Sequence, residues 1–95
     1  MSNLEKCLKD LERIRRKSLR ELAKNCKSEY MRNSAAREIR INYASAKNWI
    51  IAVYRTGYQE KIDLSKIEPC NETGGLAHLA YHLNQIRMLG RRIRQ

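Results

Sequence analysis

Hydrophobic and small residues recur every three or four positions through the first part of the chain, which is the spacing of one face of an α-helix. The positions that form this stripe are Leu4, Cys7, Leu8, Leu11, Ile14, Ser18, Leu19, Leu22, Ala23 and Cys26. Ser2, followed three residues later by Glu5, matches the capping box that starts many helices. The pattern predicts an amphipathic helix within residues 1–27.

Two further segments carry the same helical spacing. The second stripe is Met31, Ala35, Ile39, Tyr43, Ala46, Ile50 and Val53, which predicts a long helix within residues 28–57. Gly57 is a natural stop for this helix, and Asn33-Ser34 offers an alternative start near Ala35. The third stripe is Leu76, Leu79, Ala80, Leu83, Ile86, Leu89 and Ile93, which predicts a C-terminal helix with a basic tail within residues 76–95. Gly90 either ends this helix or admits the close approach of another backbone.

The connection between the second and third helices differs in composition from the rest of the chain. Residues 57–75 contain three of the four glycines, the single proline, four acidic residues and two lysines, so they carry a net charge of −2. We therefore predict an all-α fold, a single small domain over residues 1–95. It is a three-helix bundle with a long acidic Gly/Pro-containing loop over residues 58–75. The loop is either plain or contains one short helical turn near Asp63–Ile67, which would add one short helix to the bundle.

Length and composition give expectations about membrane spans and disulfide bonds. The chain has 95 residues, a net charge of +10 and no apolar run longer than the six residues from Trp49 to Tyr54, so we expect no membrane span. Cys7 and Cys26 would lie roughly 28 Å apart on one helix, too far for a disulfide. Three cysteines without a disulfide framework predict a reducing compartment, the cytoplasm.

Residue patterns typical of catalysis are missing from the sequence, so we expect a protein without enzymatic activity and without a cofactor. His78 and His82 share a helix face at the i and i+4 positions, which is a spacing that can bind zinc. A zinc site needs a third protein ligand, and Cys70 lies in the loop, so we expect no metal site.

Basic residues form the clearest surface signal in the sequence. The face of the first helix opposite its apolar stripe carries Lys6, Lys9, Arg13, Arg16, Lys17, Arg20, Lys24 and Lys27. Such a positive surface attracts nucleic acid or an acidic protein. Residues 34–57 have some features of a helix-turn-helix, but Arg40 stands where that motif needs a small residue. One uninterrupted helix explains the same pattern, and a small basic DNA-binding or transcription-regulating protein stays an open alternative.

The single proline defines a second candidate site. Glu68-Pro69-Cys70 lies in the acidic loop, where proline is either a plain turn residue or part of a segment that another protein recognises.

Three features together resemble the anti-RecBCD accessory proteins of lambdoid phages: the Lys/Arg-rich helix Leu4–Lys27, the Glu68-Pro69-Cys70 loop and the ending Arg91-Arg92-Ile93-Arg94. The resemblance implies a non-enzymatic modulator that docks on the RecC subunit of the host RecBCD helicase–nuclease. Such a modulator changes DNA-end processing in favour of phage recombination. The resemblance also implies a host peptidyl-prolyl isomerase as a partner at Pro69, and the host bacterial cytoplasm as the location.

The candidate partner-binding residues fall into three groups. The cations are Arg13, Arg16, Arg20, Arg87, Arg91, Arg92 and Arg94. The loop contributes Pro69 and Glu68. The apolar candidates lie outside the main helical stripes and are Ile41, Tyr54, Tyr58 and Met88. A small domain buries only roughly 60 % of its surface on folding, so binding a larger partner would add to its stability.

Overall fold

The computed structural model describes residues 2–91, and within them the fold is three α-helices without a strand. Helix α1 spans Asn3–Asn25, α2 spans Glu29–Arg55 and α3 spans Gly74–Gly90. The all-α, three-helix prediction is confirmed. The C-terminal helix begins two residues earlier than predicted, and the residues after Arg91 lie outside the described part of the chain. No helix of this part has the length and apolar character needed to cross a bilayer.

Side-chain caps start the first two helices. The Ser2 hydroxyl accepts a hydrogen bond from the Glu5 amide at 3.1 Å, and the Glu5 carboxylate accepts one from the Ser2 amide at 3.2 Å, which confirms the capping box. Ser28 caps α2 by accepting from the Met31 amide at 3.3 Å. Helix α2 therefore starts before Asn33, and the alternative start near Ala35 is wrong.

Helix α2 is the centre of the bundle and packs against both other helices, most extensively against α3. Ala35, Ile39, Ala46 and Ile50 form its buried stripe. The other helices contribute buried Cys7, Leu11, Leu22, Leu79, Leu83 and Ile86 to the same core. The stripes predicted from the three-to-four-residue spacing therefore become one continuous core.

The connection between α2 and α3 adds to this core. Ile62, Leu64 and Ile67 are buried, and the Tyr54 hydroxyl accepts from the Ile62 amide at 3.1 Å while donating to the Glu60 carbonyl at 3.3 Å. The short helical turn predicted near Asp63–Ile67 is present as a single turn closed by the Lys66 amide on the Asp63 carbonyl at 3.0 Å, and it does not extend into a helix. The Asp63 side chain accepts from the Ser65 amide and holds the turn.

Helices α1 and α3 cross closely where Gly90 meets Ser18. A Cβ atom on Gly90 would lie 2.8 Å from Ser18 Cβ and 2.9 Å from both Ser18 Cα and the Ser18 carbonyl oxygen. Ser18 is itself buried. Both sequence options for Gly90 are realised, because it ends α3 and also admits a neighbouring backbone.

Candidate functional site

The exposed side of α1 is a continuous cationic surface. Around a helix with 3.6 residues per turn, the positions between residues 6 and 24 that fall in one sector of about 100° are all Lys or Arg. We call this surface the α1 cationic face, and it consists of Lys6, Lys9, Arg13, Arg16, Lys17, Arg20 and Lys24. All seven residues are exposed, so the basic face predicted from the sequence is present as one surface.

Most charges of the α1 cationic face have no acidic partner. Arg13 pairs with Asp10 at 2.8 Å, and Arg16 pairs with Glu12 at 3.2 Å. Within residues 2–91, the four lysines of the face and Arg20 form no ion pair. The sequence candidates Arg13, Arg16 and Arg20 therefore lie together on one surface that carries excess positive charge.

Glu12 joins the edge of this face to α2. Its carboxylate accepts hydrogen bonds from Arg15, from Arg16 and, at 2.8 Å, from the Tyr43 hydroxyl. The hydrogen bonds from Arg15 and Tyr43 lower the pKa of Glu12. The Arg15 guanidinium also lies over the Tyr43 ring, 4.9 Å from its centroid. The contacts tie the edge of the cationic face to α2.

The candidates at the end of α3 adjoin this surface. Arg87 and Arg91 line the same crevice between α1 and α3 as Lys17 and Glu21. Arg87 donates to the Leu64 carbonyl at 3.2 Å, and desolvation together with the charge of Arg91 lowers the pKa of its guanidinium. Arg87 thus also has a role in holding the connection, whereas Arg91 is exposed. Arg92 and Arg94 lie outside the described residues.

A second surface follows the line of contact between α2 and α3. The two helices run antiparallel, because Gly75 lies beside Val53, His78 stacks on Trp49 and His82 meets Asn42. Contacts with α1 lie on one side of this line, where Tyr43 reaches Glu12 and Gly90 meets Ser18.

Ile41 and Tyr81 point to the side of the α2–α3 contact line that α1 does not occupy. Ile41 precedes the contact residue Asn42, and Tyr81 precedes its partner His82, so each side chain is rotated by about 100° about its helix axis from the contact line. Because the two helices are antiparallel, both rotations lead to the same side of that line. Ile41 and Tyr81 are both 53 % exposed.

We call this side the seam face, and its members lie within one or two helical turns of Ile41 or Tyr81. They are Glu38, Ile41 and Ser45 of α2 and His78, Tyr81, Gln85 and Met88 of α3. Among these seven residues Glu38 is the single Asp, Glu, Lys or Arg, and exposed Arg37 borders them one turn before Ile41. Met88 is 56 % exposed. The seam face therefore combines three exposed large apolar side chains with one acidic residue.

The two histidines of α3 are fixed by contacts across the contact line. The His78 ring stacks on Trp49 with a centroid separation of 4.3 Å and an interplanar angle of 8°. His82 Nδ1 lies 2.8 Å from Asn42 Oδ1; since that amide oxygen is an acceptor, Nδ1 carries the proton. Desolvation, and the nearby His78, lower the pKa of His82 and favour its neutral form.

The remaining sequence candidates lie apart from both surfaces. Tyr54 and Tyr58 are half-buried against the core, with their rings edge to face at 5.9 Å, so much of their surface is used within the chain. Pro69 is exposed in a turn that the Asn71 amide closes on the Glu68 carbonyl at 3.1 Å. The Glu68 carboxylate accepts from the Asn71 side-chain amide at 3.1 Å.

The cysteine and histidine side chains form no further cluster within the described residues. The three cysteines are free thiols, with Cys7 and Cys26 buried and Cys70 exposed. Desolvation and the charge of Asp10 raise the pKa of Cys7 to about 11, so this thiol stays protonated. Residues 2–91 contain no group of three or more His, Cys, Asp or Glu side chains placed to hold a metal ion.

Comparisons with known proteins give no assignment, because no protein-family model, no curated protein and no solved structure matches the chain.

Sequence reasoning missed the seam face as a unit. Ile41 and Met88 were singled out because they fall outside the apolar stripes, but Tyr81 was not. The available signal was that Ile41 and Tyr81 each precede a residue of the α2–α3 contact by one position. This signal can be used only when the antiparallel pairing of the two helices is known, and the residue spacing within each helix does not reveal that pairing.

Proposed function

We propose that this protein is a non-enzymatic, phage-encoded modulator that binds the host RecBCD helicase–nuclease at its RecC subunit. Binding would alter DNA-end processing in favour of phage recombination, in the host bacterial cytoplasm. The identity of the partner comes from the sequence resemblance. The seam face is the observation that supports a protein partner, because clustered exposed apolar side chains are what the cores of protein interfaces bury.

The three exposed apolar side chains of the seam face give such an interface its anchors. Ile41, Tyr81 and Met88 lie on one side of the bundle, and Tyr and Met are enriched where proteins meet. Within the face, the ring of His78 is held by stacking on Trp49. The backbone of the face is held by packed helices, so a partner would have to order only the side chains.

A charged substitution in the seam face tests this proposal. Ile41→Glu would place an unpaired carboxylate in the contact, and we expect binding to purified RecBCD to weaken at least about tenfold. Ala44→Glu is the matched control, because Ala44 is exposed on the same helix but outside the seam face. The measurement is affinity capture of RecBCD, combined with its nuclease activity on linear duplex DNA. Absence of wild-type binding would remove the partner, and equal loss in both variants would remove the seam face as its docking surface.

The Pro69 turn is proposed as a separate contact for a host peptidyl-prolyl isomerase. Pro69 is exposed, and its turn belongs to the connection between α2 and α3 rather than to the helices that form the seam face. Pro69→Ala should keep the helical circular dichroism spectrum and reduce co-purification of the isomerase. Unchanged co-purification would count against this contact.

The alternative, a helix-turn-helix regulator, lacks the element that would read DNA bases. Residues 34–57 would need a turn between two helices, whereas α2 continues without interruption from Glu29 to Arg55. Any DNA contact must therefore use another surface.

A further inference from the structure

We infer that the α1 cationic face is a docking surface for the phosphate backbone of duplex DNA, bound without regard to base sequence. The inference does not depend on the proposed RecBCD partner, because it rests on a different side of the molecule. It starts from the fact that the seven positions of this face, from Lys6 to Lys24, are all cations.

The shape of the face fits an extended polyanion. Lys6 and Lys24 are separated by 18 positions, or about 27 Å along the helix axis. Between them a cation occurs at least once in every turn of the helix, and all of them are exposed. Duplex DNA carries one negative charge per roughly 1.7 Å of its axis. A straight row of cations can therefore contact several successive phosphates at once.

The composition of the face favours DNA over an acidic protein. Four of its seven residues are Lys, a residue type that is depleted where proteins meet, and the face has no apolar or aromatic anchor. Protein–DNA interfaces are, in contrast, strongly positive and largely polar. The seam face shows that this chain can present apolar anchors, but it does so on a different side.

The lack of fixed, free side chains on the face predicts that bases are not read. Direct readout uses Arg, Lys, Asn or Gln side chains held at base edges by an element seated in the major groove. Within the described structure, the lysines of the face and Arg20 make no ion pair that would hold them in place. Arg13 and Arg16 are turned to Asp10 and Glu12. Phosphate contacts of this kind position a protein on DNA but carry no sequence information.

A variant that neutralises three cations of the face is compared with a control variant of the same net charge. The comparison separates the contribution of the face from that of overall charge. The test variant combines Lys9→Gln, Arg20→Gln and Lys24→Gln, which are exposed and break no ion pair in the described structure. The control combines Arg37→Gln, Arg40→Gln and Lys47→Gln on α2, three exposed cations whose loss lowers the net charge equally. Gln keeps a helix propensity close to that of Lys and Arg, and circular dichroism confirms that both variants fold.

Fluorescence anisotropy with duplex DNA of about 30 base pairs, titrated at several salt concentrations, gives the readout. The wild-type affinity should fall steeply with salt, with a log–log slope of about −6 if all seven cations contact phosphates. The test variant should bind at least about tenfold more weakly at low salt and flatten the slope by about 3, whereas the control stays within about threefold of the wild type.

Three outcomes would overturn the inference. They are no duplex binding by the wild type at low salt, equal loss in the test and control variants, and equal affinity for polyglutamate and for DNA. The last two would assign the attraction to net charge or to acidic polypeptides. Two DNA duplexes of unrelated sequence should bind alike, and a strong preference for either would contradict binding through phosphates alone.

Discussion

The α1 cationic face and the seam face lie on different sides of the bundle, and they differ in almost every physical property. The first consists of seven cations without an apolar side chain, and the second has three exposed large apolar residues and one acidic residue. Both are surfaces of regular helices, so the difference does not come from the fold. It teaches that this small chain places its densest row of cations on one side and three of the four exposed large hydrophobic side chains of the described residues on another, as expected if two unlike partners use the two sides.

The close contact between Gly90 of α3 and Ser18 of α1 joins helices that carry the two faces, and disrupting it should have the largest effect. Gly90→Ala should lower the free energy of unfolding by about 2–3 kcal/mol, because the new Cβ would lie 2.8–2.9 Å from atoms of Ser18. Urea unfolding followed by circular dichroism measures the loss. Two of these atoms belong to the backbone, so Ser18→Gly should not restore stability. A Gly90→Ala protein as stable as the wild type would show that α1 and α3 do not approach this closely.

The polar contact between Glu12 and Tyr43 sharpens the comparison, because it ties the edge of the cationic face to α2. Tyr43→Phe should cost about 1 kcal/mol, since it removes one hydrogen bond to a charged carboxylate. A double-mutant cycle with Glu12→Ala, which leaves no side-chain acceptor, should show coupling between the two residues. Additive effects in that cycle would mean that the two side chains do not interact in solution.

Acid should weaken the α2–α3 contact line beside the seam face, with the smallest effect of the three. The pKa of His82 is lowered in the folded protein from its usual 6.5, so below about pH 6.5 the unfolded chain takes up the proton more readily. The stability contributed by neutral His82 is therefore complete above pH 6.5 and is lost as the pH falls through the folded-state pKa.

Urea midpoints at pH 7.5 and 5.5 measure this dependence. His82→Gln should reduce the difference between the two pH values, whereas His78→Gln should leave most of it, because the burial of His82 lowers its pKa more than the charge of His78 does. A difference that does not change in His82→Gln would assign the acid sensitivity to other groups.

The sequence contains enough information for the helices and for the cationic face. The capping box at Ser2, the uninterrupted α2 and the exposure of Lys9 or Arg20 all follow from local chemistry and helical spacing. Such features depend on residues within one or two turns of each other, and a single helix carries them. They could be predicted because no tertiary contact overrides them.

Other features depend on how the helices meet, and the sequence did not reveal them. The burial of Leu64 in the connection needs the space that the three helices leave beneath it. The pairing of Asn42 with His82 joins residues 40 positions apart, and it places Tyr81 beside Ile41 rather than elsewhere on α3. The close approach at Gly90 was one of two sequence options, and the partner Ser18 lies on a different helix.

The most direct test of the account is a crossed binding measurement with the two face variants. Ile41→Glu and the triple variant of Lys9, Arg20 and Lys24 are each titrated against purified RecBCD and against duplex DNA. The account predicts that Ile41→Glu loses RecBCD and keeps DNA, whereas the triple variant loses DNA and keeps RecBCD. If either variant lost both ligands in equal measure while remaining folded, the two sides would not be separate binding surfaces, and the account would be wrong.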